Sequence, residues 1–258
     1  MTPEIWSEQL ELMSYHCDRT DHLSLWGMCR IFQEASAHHT DGSVIGYEEL
    51  LPIGKGWVLI RMHYEMYRMP SIRDRVTVNT WSRGTDGLIA VREFQMVDTA
   101  GKVLCSASTH WVVIDMNARR VVRAKDLMQD FPSHNGLATS LETFGKLRLG
   151  EFSAETHLAG VPANDSFIDH TQHVNNAEYI KLMSDHFPDL ENSSSTVDLE
   201  ERKHSASRFD GMAFQIDYPA ETKPGEILSV YRKKDSDAIC FQISNPRGIS
   251  ATARFSKM

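Results

Sequence analysis

The sequence predicts an α+β fold that is built twice along the chain, each time as one amphipathic helix packed against an antiparallel sheet. Two periodicities and a repeat predict it. Apolar residues recur at helical spacing in residues 23–39, and apolar and polar residues then alternate in several stretches up to residue 114. The same order of patterns begins again after residue 150. A chain of 258 residues, 41% of them hydrophobic, is long enough for two such cores.

The first unit begins with the helix predicted at residues 23–39, which Gly42 and Gly46 end. Its apolar face is formed by Leu25, Met28, Cys29, Phe32 and Ala35. The period then changes to two, which is typical of half-buried strands. The predicted strands cover residues 57–67, 75–81, 88–97 and 103–114. Because the segments between them are short and rich in turn residues, an antiparallel meander packed on the helix is the simplest arrangement.

The second unit follows a connector in which the periodicity weakens. We expect an N-terminal domain at residues 1–130, a linker at 131–150 and a C-terminal domain at 151–258. The C-terminal patterns predict a leading strand at 152–157, a helix at 176–187, an exposed Ser-rich loop at 192–196, and strands at 212–218, 227–233, 238–244 and 250–255.

A short motif supports duplication. Asp18, Thr20 and His22 match Asp169, Thr171 and His173 at one constant offset, and the same offset places Tyr67 on Tyr218. Two such units could join edge to edge, so that each covers the other's exposed strand.

Charge and cysteine content narrow the functional class. The formal net charge of -8 disfavours general nucleic-acid binding. Four widely spaced cysteines argue against a disulfide framework and a zinc site. The acidic N-terminus lacks the features of a secretory signal and no apolar run is long enough to span a membrane, so we expect a cytoplasmic protein. The densest cationic run could meet an acidic partner or form a solvated loop, and it contains Arg119, Arg120, Arg123 and Lys125.

The second copy of the motif has the spacing of a catalytic site. Asp169 and His173 lie four residues apart in a polar loop that runs into a helix starting near Asn175. Backbone N–H groups at a helix start can stabilise a developing negative charge, and an imidazole can transfer protons to the same reacting group. The plainer interpretation is a surface or helix-capping pair.

Several stretches, in order along the chain, resemble the acyl-acyl carrier protein thioesterases of plants and bacteria. These are residues 57–62 (WVLIRM), 107–113 (ASTHWVV), Arg119-Arg120, Asp169 with 172–176 (QHVNN) and Tyr179-Ile180, and Asp217-Tyr218 with Glu221. The resemblance implies a tandem double hot-dog, in which each half is a long helix wrapped by an antiparallel sheet. It also implies hydrolysis of the thioester that joins a fatty acyl chain to the phosphopantetheine arm of acyl carrier protein.

The same resemblance assigns catalytic roles to Asp169, His173 and Glu221. Two positions depart from it, because Thr171 stands where the family usually has Asn and Thr222 where plant members have Cys. We therefore expect attack by water, positioned and deprotonated by Glu221 and His173, with Asp169 orienting the site and N–H groups near Asn175 holding the oxyanion. The alternative is Asp169 as a nucleophile that forms an anhydride. This hypothesis needs Glu221 beside His173, and it needs no cofactor or metal.

Further expectations concern substrate and partners. The N-terminal half is expected to supply the acyl pocket, with Asp18, Thr20 and His22 as structural or pocket-edge residues. Its candidate lining residues, which could equally be ordinary core, are Met28, Phe32, Trp57, Met62 and Met66. The cationic run would dock an acidic carrier protein. Alternatives are an acyl-CoA thioesterase of the same superfamily and a non-hydrolytic acyl-binding module, and a homodimer is the expected assembly.

Overall fold

The computed structural model describes residues 2–188 and 205–258 of the chain. The predicted Ser-rich loop at 192–196 lies outside these residues. The described part contains the strands β1 (Ile5–Glu11), β2 (Lys55–Met66), β3 (Arg75–Thr85), β4 (Ile89–Asp98), β5 (Val103–Asp115), β6 (Arg120–Val122), β7 (His157–Pro162), β8 (Met212–Asp217), β9 (Ile227–Asp235), β10 (Ala238–Asn245) and β11 (Gly248–Lys257). Its α-helices are α1 (Leu25–Thr40), α2 (Tyr47–Leu50) and α3 (Asn176–Asp185).

The strands form one antiparallel sheet in which the two halves of the chain meet at the centre. Its order is β1-β3-β4-β5-β2-β8-β11-β10-β9-β7, with β6 paired to β5. The N-terminal order is repeated by the C-terminal strands with its direction reversed. At the centre, β2 pairs with β8 from Arg61↔Asp217 to Met66↔Met212. Two helix-and-sheet units therefore join edge to edge, as expected, and each covers the other's free central edge.

The simple meander predicted for the first half is only partly correct. The strands β3, β4 and β5 do pair in sequence, but β2 pairs with β5 and β8 and makes no ladder with β3. The C-terminal half repeats this exception, since β8 pairs with β11. Local periodicity identified the strands but could not show that the first long strand of each half is reserved for the central seam.

Several elements and boundaries also differ from the prediction. Strand β1 was not predicted, although its residues alternate in burial and pair with β3 along their whole length. The leading strand of the second half begins at His157, where the predicted strand was to end, because residues 154–156 form a 3-10 turn. Strand β3 continues to Thr85 past a bulge near Ser82. Both helices start within two residues of the predicted positions.

The helices α1 and α3 pack side by side on one face of the sheet. Between them and the strands lies the main core, which spans both halves. A row of stacked rings runs through it from Phe94 and Phe32 over Tyr64 to Phe214 and Phe255, with neighbouring centroids 4.6–6.0 Å apart. The core therefore ties the seam between β2 and β8 from the helix side.

Residues 127–153, which contain no helix or strand, cross from the first half to the second. Contacts with strand side chains hold this connecting segment to the sheet. Trp81 Nε1 donates to Gly136 O at 2.7 Å in the first half, and Gln215 Nε2 donates to Gly145 O at 2.7 Å in the second. Between these points the carboxylate of Glu65 accepts hydrogen bonds from the backbone and hydroxyl of Ser140.

Candidate active site

The loop before α3 is organised by the carboxylate of Asp169. Its Oδ1 accepts hydrogen bonds from Thr171 N at 2.9 Å and from Thr171 Oγ1 at 2.5 Å. Its backbone N–H donates to His173 O at 3.0 Å, and Gln172 adopts a left-handed φ of 66° to close the turn. Asp169 therefore orders the loop that carries His173, but within the described residues its carboxylate does not bond to the imidazole ring.

The end of this loop is fixed by Asn175, which is the N-cap of α3. Its side-chain oxygen accepts from Ala177 N at 2.9 Å, and its Nδ2 donates to Asp169 Oδ2 at 3.2 Å. One side chain thus connects the helix start to the ordering carboxylate.

Glu221 reaches this loop from the segment that follows β8. Its Oε2 lies 2.8 Å from His173 Nε2, and both side chains are partly exposed, at 49% and 40%. The next residue supplies a backbone link, because Thr222 O accepts from Val174 N at 3.2 Å. The structure therefore brings together a histidine and a glutamate that lie 48 residues apart in the sequence. The contact between them lies at the protein surface.

Glu221 is held by residues that sequence analysis did not identify. In the turn between β10 and β11, Asn245 Nδ2 and Arg247 Nη2 donate to Glu221 O at 3.0 and 2.8 Å. Arg247 Nη1 also lies 3.8 Å from Glu221 Oε1, while Glu226 accepts two hydrogen bonds of 3.0 Å from the same guanidinium. These contacts join distant strand ends, so no local motif could have indicated them.

The predicted oxyanion donor needs a correction at Asn175. Its backbone N–H donates to Phe167 O at 2.9 Å, and the N–H groups of Ala177 and Glu178 bond to Asn175. They are therefore not free for a substrate. In the part of the chain that the structure describes, the Asn176 N–H is the group at this helix start that donates to no protein acceptor.

Thr222 stands at the position where the plant members of the resembling family have Cys. It is fully buried. Its hydroxyl donates to Ser250 Oγ at 3.0 Å and accepts from Asn245 Nδ2 at 3.1 Å. Tyr179, also buried, lies in the same core, and burial raises the pKa of its phenol. Thr222 thus anchors the chain next to Glu221 in the core, and its hydroxyl is not an exposed nucleophile.

The five residues predicted to line an acyl pocket do not share one cavity. Met28, Phe32, Met62 and Met66 are buried in the main core, where the sheet-facing side of α1 packs on β2. Trp57 instead lines a cavity of about 80 Å³ under the C-terminal end of α1. This cavity is lined by Ser36, Thr40, Ile45, Trp57, Ser82, Ala90, Val91, Arg92, Trp111 and Met128.

A short segment connects the cavity to the catalytic loop. Ile45 lines the cavity and its carbonyl accepts from Trp57 Nε1 at 3.0 Å. Two residues later, the Tyr47 ring packs edge-on against His170, with centroids 4.7 Å apart. The cavity therefore lies beneath the segment that touches the loop of His173.

The cationic run is exposed and lies at the same end of the sheet as this segment. Arg119, Arg120, Arg123 and Lys125 are all exposed, and among the described residues none of them forms an ion pair. Strand β6 pairs with the end of β5, which in turn pairs with Lys55 just after the α2 segment.

Neither a metal site nor a membrane span is found in residues 2–188 and 205–258. They contain no group of three or more metal-binding side chains. None of their helices is both long and apolar enough to cross a bilayer.

Comparison with known proteins places this geometry in a family. The family model described as the acyl-ACP thioesterase N-terminal domain matches residues 3–131, half of the chain. Oleoyl-acyl carrier protein thioesterase 2 of Arabidopsis thaliana is 23% identical over 96% of this chain and 68% of its own length. The corresponding thioesterase of Coriandrum sativum is 30% identical over 51% of this chain, but the match covers only 38% of that protein.

Solved structures show the same fold. An acyl-ACP thioesterase from Bacteroides thetaiotaomicron superposes with a TM-score of 0.80 at 20% identity, covering 99% of this chain and 98% of the other. A 12:0-ACP thioesterase from Umbellularia californica gives a TM-score of 0.76 at 17% identity, covering 100% and 98%. The tandem double hot-dog expected from the resemblance is thus confirmed. From its sequence and its fold together, this chain belongs to the acyl-ACP thioesterase family.

Proposed function

We propose that the protein hydrolyses fatty acyl-acyl carrier protein thioesters, releasing a free fatty acid and the carrier protein with its thiol restored. The single observation that carries this proposal is the contact of 2.8 Å between His173 Nε2 and Glu221 Oε2, at the exposed start of α3. Family membership supplies the substrate class, and the contact supplies a group able to deprotonate water.

In this mechanism Glu221 fixes the ring of His173. A carboxylate on Nε2 holds the proton at that nitrogen and leaves Nδ1 as the base. Nδ1 takes a proton from water as the water oxygen bonds to the thioester carbon. When the carbon–sulfur bond breaks, the imidazolium returns that proton to the leaving sulfur. Arg247 and Asn245 act as positioning residues, because they hold the backbone of Glu221.

The oxyanion of the tetrahedral intermediate is assigned to the Asn176 N–H. This group lies at the positive end of α3, where a negative charge is stabilised by the helix dipole. Asp169 keeps the loop in place from below. Direct attack by Asp169 would require its carboxylate to give up hydrogen bonds from Thr171 and Asn175, so the contacts favour water. Oxygen-18 from water found in the enzyme after one turnover would instead support the Asp169 nucleophile.

We assign the acyl chain to the N-terminal half, with its far end in the cavity lined by Trp57. Support comes from its apolar walls and from the contact between Tyr47 and His170 that links its roof to the catalytic loop. The other four candidates belong to the packed core beside this cavity, and they are Met28, Phe32, Met62 and Met66. The division of labour between residues 1–130 and 151–258 is part of this proposal.

We assign carrier-protein docking to the cationic run formed by Arg119, Arg120, Arg123 and Lys125. Carrier proteins are acidic, and exposed cations near the site steer such partners. Reversing two of these charges should raise KM for acyl carrier protein substrates at low salt and leave kcat/KM for small acyl thioesters unchanged. Equal effects on both substrates would contradict docking at this surface.

The decisive test is thiol release from a panel of acyl carrier protein thioesters by the wild type and by His173→Ala and Glu221→Gln. Turnover by the wild type with loss in both folded variants supports the proposal. A strong preference for acyl-CoA over the same acyl group on carrier protein would favour an acyl-CoA thioesterase, and binding without release would favour a non-hydrolytic module. A cytoplasmic location and a homodimer stay predictions, which cell fractionation and analytical ultracentrifugation test.

A further inference from the structure

Arg92, on β4, is a buried cation without a carboxylate partner in the part of the chain that the structure describes. Its residue exposure is only 7%. The ion pairs of residues 2–188 and 205–258 include neighbouring Arg83 with Glu93, but none that involves Arg92. Buried charges in proteins are ordinarily paired, because an uncompensated charge away from water is costly. An anionic partner for Arg92 is therefore expected, and the described residues do not supply one.

The neighbours of Arg92 are neutral. Its Nη1 donates to His39 Nδ1 at 2.9 Å and to Thr80 Oγ1 at 3.2 Å. His39 Nε2 lies 2.8 Å from Pro3 O and donates to it, so Nδ1 is an unprotonated acceptor. Burial lowers the pKa of His39 to about 4, which keeps this ring uncharged near neutral pH. The positive charge of the guanidinium is thus not cancelled by its protein contacts.

Arg92 is also one of the residues that line the cavity of about 80 Å³ to which Trp57 contributes. Within the described residues, Arg92 Nη2 and Nε donate to no protein acceptor, and neither atom is fully enclosed. Three hydroxyl residues share the cavity wall: Ser36, Thr40 and Ser82. Its remaining lining is mainly apolar, with Ile45, Trp57, Trp111 and Met128.

We propose that this cavity is a carboxylate-binding subsite, which takes a carboxylate carried on a short alkyl chain. The free edge of Arg92 presents two N–H donors, the arrangement that binds a carboxylate in a bidentate manner. The apolar walls bury the alkyl part. The inference rests on the proposed function, since it places this subsite at the inner end of the acyl pocket. The carboxylate belongs either to an acyl group with a second, terminal acid or to a released fatty acid that binds again with its carboxylate inward.

The first test compares hexanoate with 1-hexanol by titration calorimetry on the wild-type protein. A charge-assisted hydrogen bond should make hexanoate bind about tenfold or more tightly than the alcohol. Arg92→Met should abolish this difference, and Arg92→Lys should keep part of it. Arg75→Met, which removes an exposed arginine from β3, is the matched control and should change nothing. His173→Ala should also retain hexanoate binding, because the subsite is separate from the catalytic loop.

Equal binding of hexanoate and hexanol by the wild type would overturn the proposal, whatever the fate of the variants. So would unchanged hexanoate binding in folded Arg92→Met. Two further arms identify the source. Faster wild-type turnover of a thioester with a terminal carboxylate than of a plain thioester of equal length, lost in Arg92→Met, identifies the substrate. Competitive inhibition by hexanoate that Arg92→Met relieves identifies the product. Absence of turnover on every thioester, with hexanoate binding intact, would count against the hydrolase assignment alone.

Discussion

The chain builds the same loop twice, before α1 and before α3, and the two copies differ in what surrounds the histidine. In each copy an Asp accepts two hydrogen bonds from the Thr two residues later, and its backbone N–H bonds to the His carbonyl. The residue before the histidine is left-handed in both, with φ of 62° at Asp21 and 66° at Gln172. The backbone and the Asp–Thr contact are therefore shared features of the duplication.

The histidines have opposite environments. His22 is 2% exposed and both ring nitrogens are occupied, by Thr20 Oγ1 at 3.1 Å and Ser205 O at 2.9 Å. His173 is 40% exposed in its side chain, and its Nε2 meets Glu221. The offset that relates the copies places Pro70 at the position of Glu221. Pro70 has no carboxylate to offer, and its carbonyl accepts from Leu23 N at 2.8 Å, a backbone link that Thr222 O makes to Val174 N in the second copy.

If His173 is the catalytic base as proposed, the difference indicates that the motif alone does not make a catalytic site. The loop fixes the position of the histidine. The proposed hydrolysis also needs access to solvent and a carboxylate from a distant segment. In the first copy the same loop connects α1 to the rest of the core. This assigns Asp18, Thr20 and His22 a structural role within the proposed division of labour.

The largest effect should come from removing the exposed histidine. His173→Ala removes the proposed base, so kcat should fall by about 10²–10⁴-fold while the folded state is kept, because the side chain is partly exposed. Thiol release from acyl carrier protein measures this. The matched variant His22→Ala should leave kcat per folded molecule within about twofold. Comparable losses of kcat in both variants would show that the two copies are functionally equivalent.

Acid should reveal a second asymmetry, because the histidines buried within residues 2–188 and 205–258, namely His22, His39, His63 and His110, all lie in the N-terminal half. Burial lowers the pKa of His39 and of His110 to about 4, from 6.5 for an exposed imidazole. Between these values the unfolded chain binds protons that the folded chain does not, so stability falls as the pH drops from 6.5 to 4. At pH 4.5 each group should cost about 2–3 kcal/mol.

Urea unfolding at pH 7.0 and 4.5 tests this dependence. His110→Phe should reduce the loss of stability on acidification, because phenylalanine binds no proton. Its ring can keep the stacking on Phe144, where the centroids lie 4.2 Å apart. The exposed His157 is the control position, and His157→Ala should leave the loss unchanged. An identical acid response in wild type and His110→Phe would contradict burial as its cause.

These differences also mark what the sequence could predict. Helical and strand periodicity are local, so α1, α3 and most strands were correctly located, and the constant offset of the two motifs indicated the duplication. The pairing of β2 with β8 and the positions of Arg247 and Asn245 depend on contacts between distant segments. Strand β1 was missed because its short, acidic sequence alternates only weakly.

The candidate site was predicted in part for the same reason. The proximity of Glu221 to His173 was expected from the resemblance. The local sequence around either residue does not indicate that the two side chains meet. Trp57 lines the cavity, but the other four pocket candidates have apolar patterns that fit core and pocket equally well. Arg92 was overlooked because a single arginine in a strand usually faces solvent, and only the fold shows that this one is buried.

A smaller effect is expected at the buried histidine. His22→Ala removes two hydrogen bonds and leaves a small void in the core, so the protein should lose about 2 kcal/mol of stability. Chemical denaturation with the kcat of the remaining folded protein measures both quantities. Pro70→Glu in the His173→Ala background sharpens the test, because a new carboxylate beside a fully bonded His22 should not restore turnover. Restored turnover would mean that access was never the limiting difference.

The smallest and most discriminating effects should come from the two helix caps. Ser24 caps α1 by accepting from Gly27 N at 2.9 Å, and Asn175 caps α3 by accepting from Ala177 N at 2.9 Å. Replacing either with Ala should cost about 1 kcal/mol in unfolding free energy. Only Asn175 also donates to Asp169, so Asn175→Ala should lower kcat as well, whereas Ser24→Ala should not. Asn175→Asp separates the two roles, because it keeps the cap acceptor but lacks the amide donor and places a second carboxylate beside Asp169. We expect this variant to approach wild-type stability with reduced kcat, and a variant that retains full kcat would show that the tie to Asp169 does not position the catalytic loop.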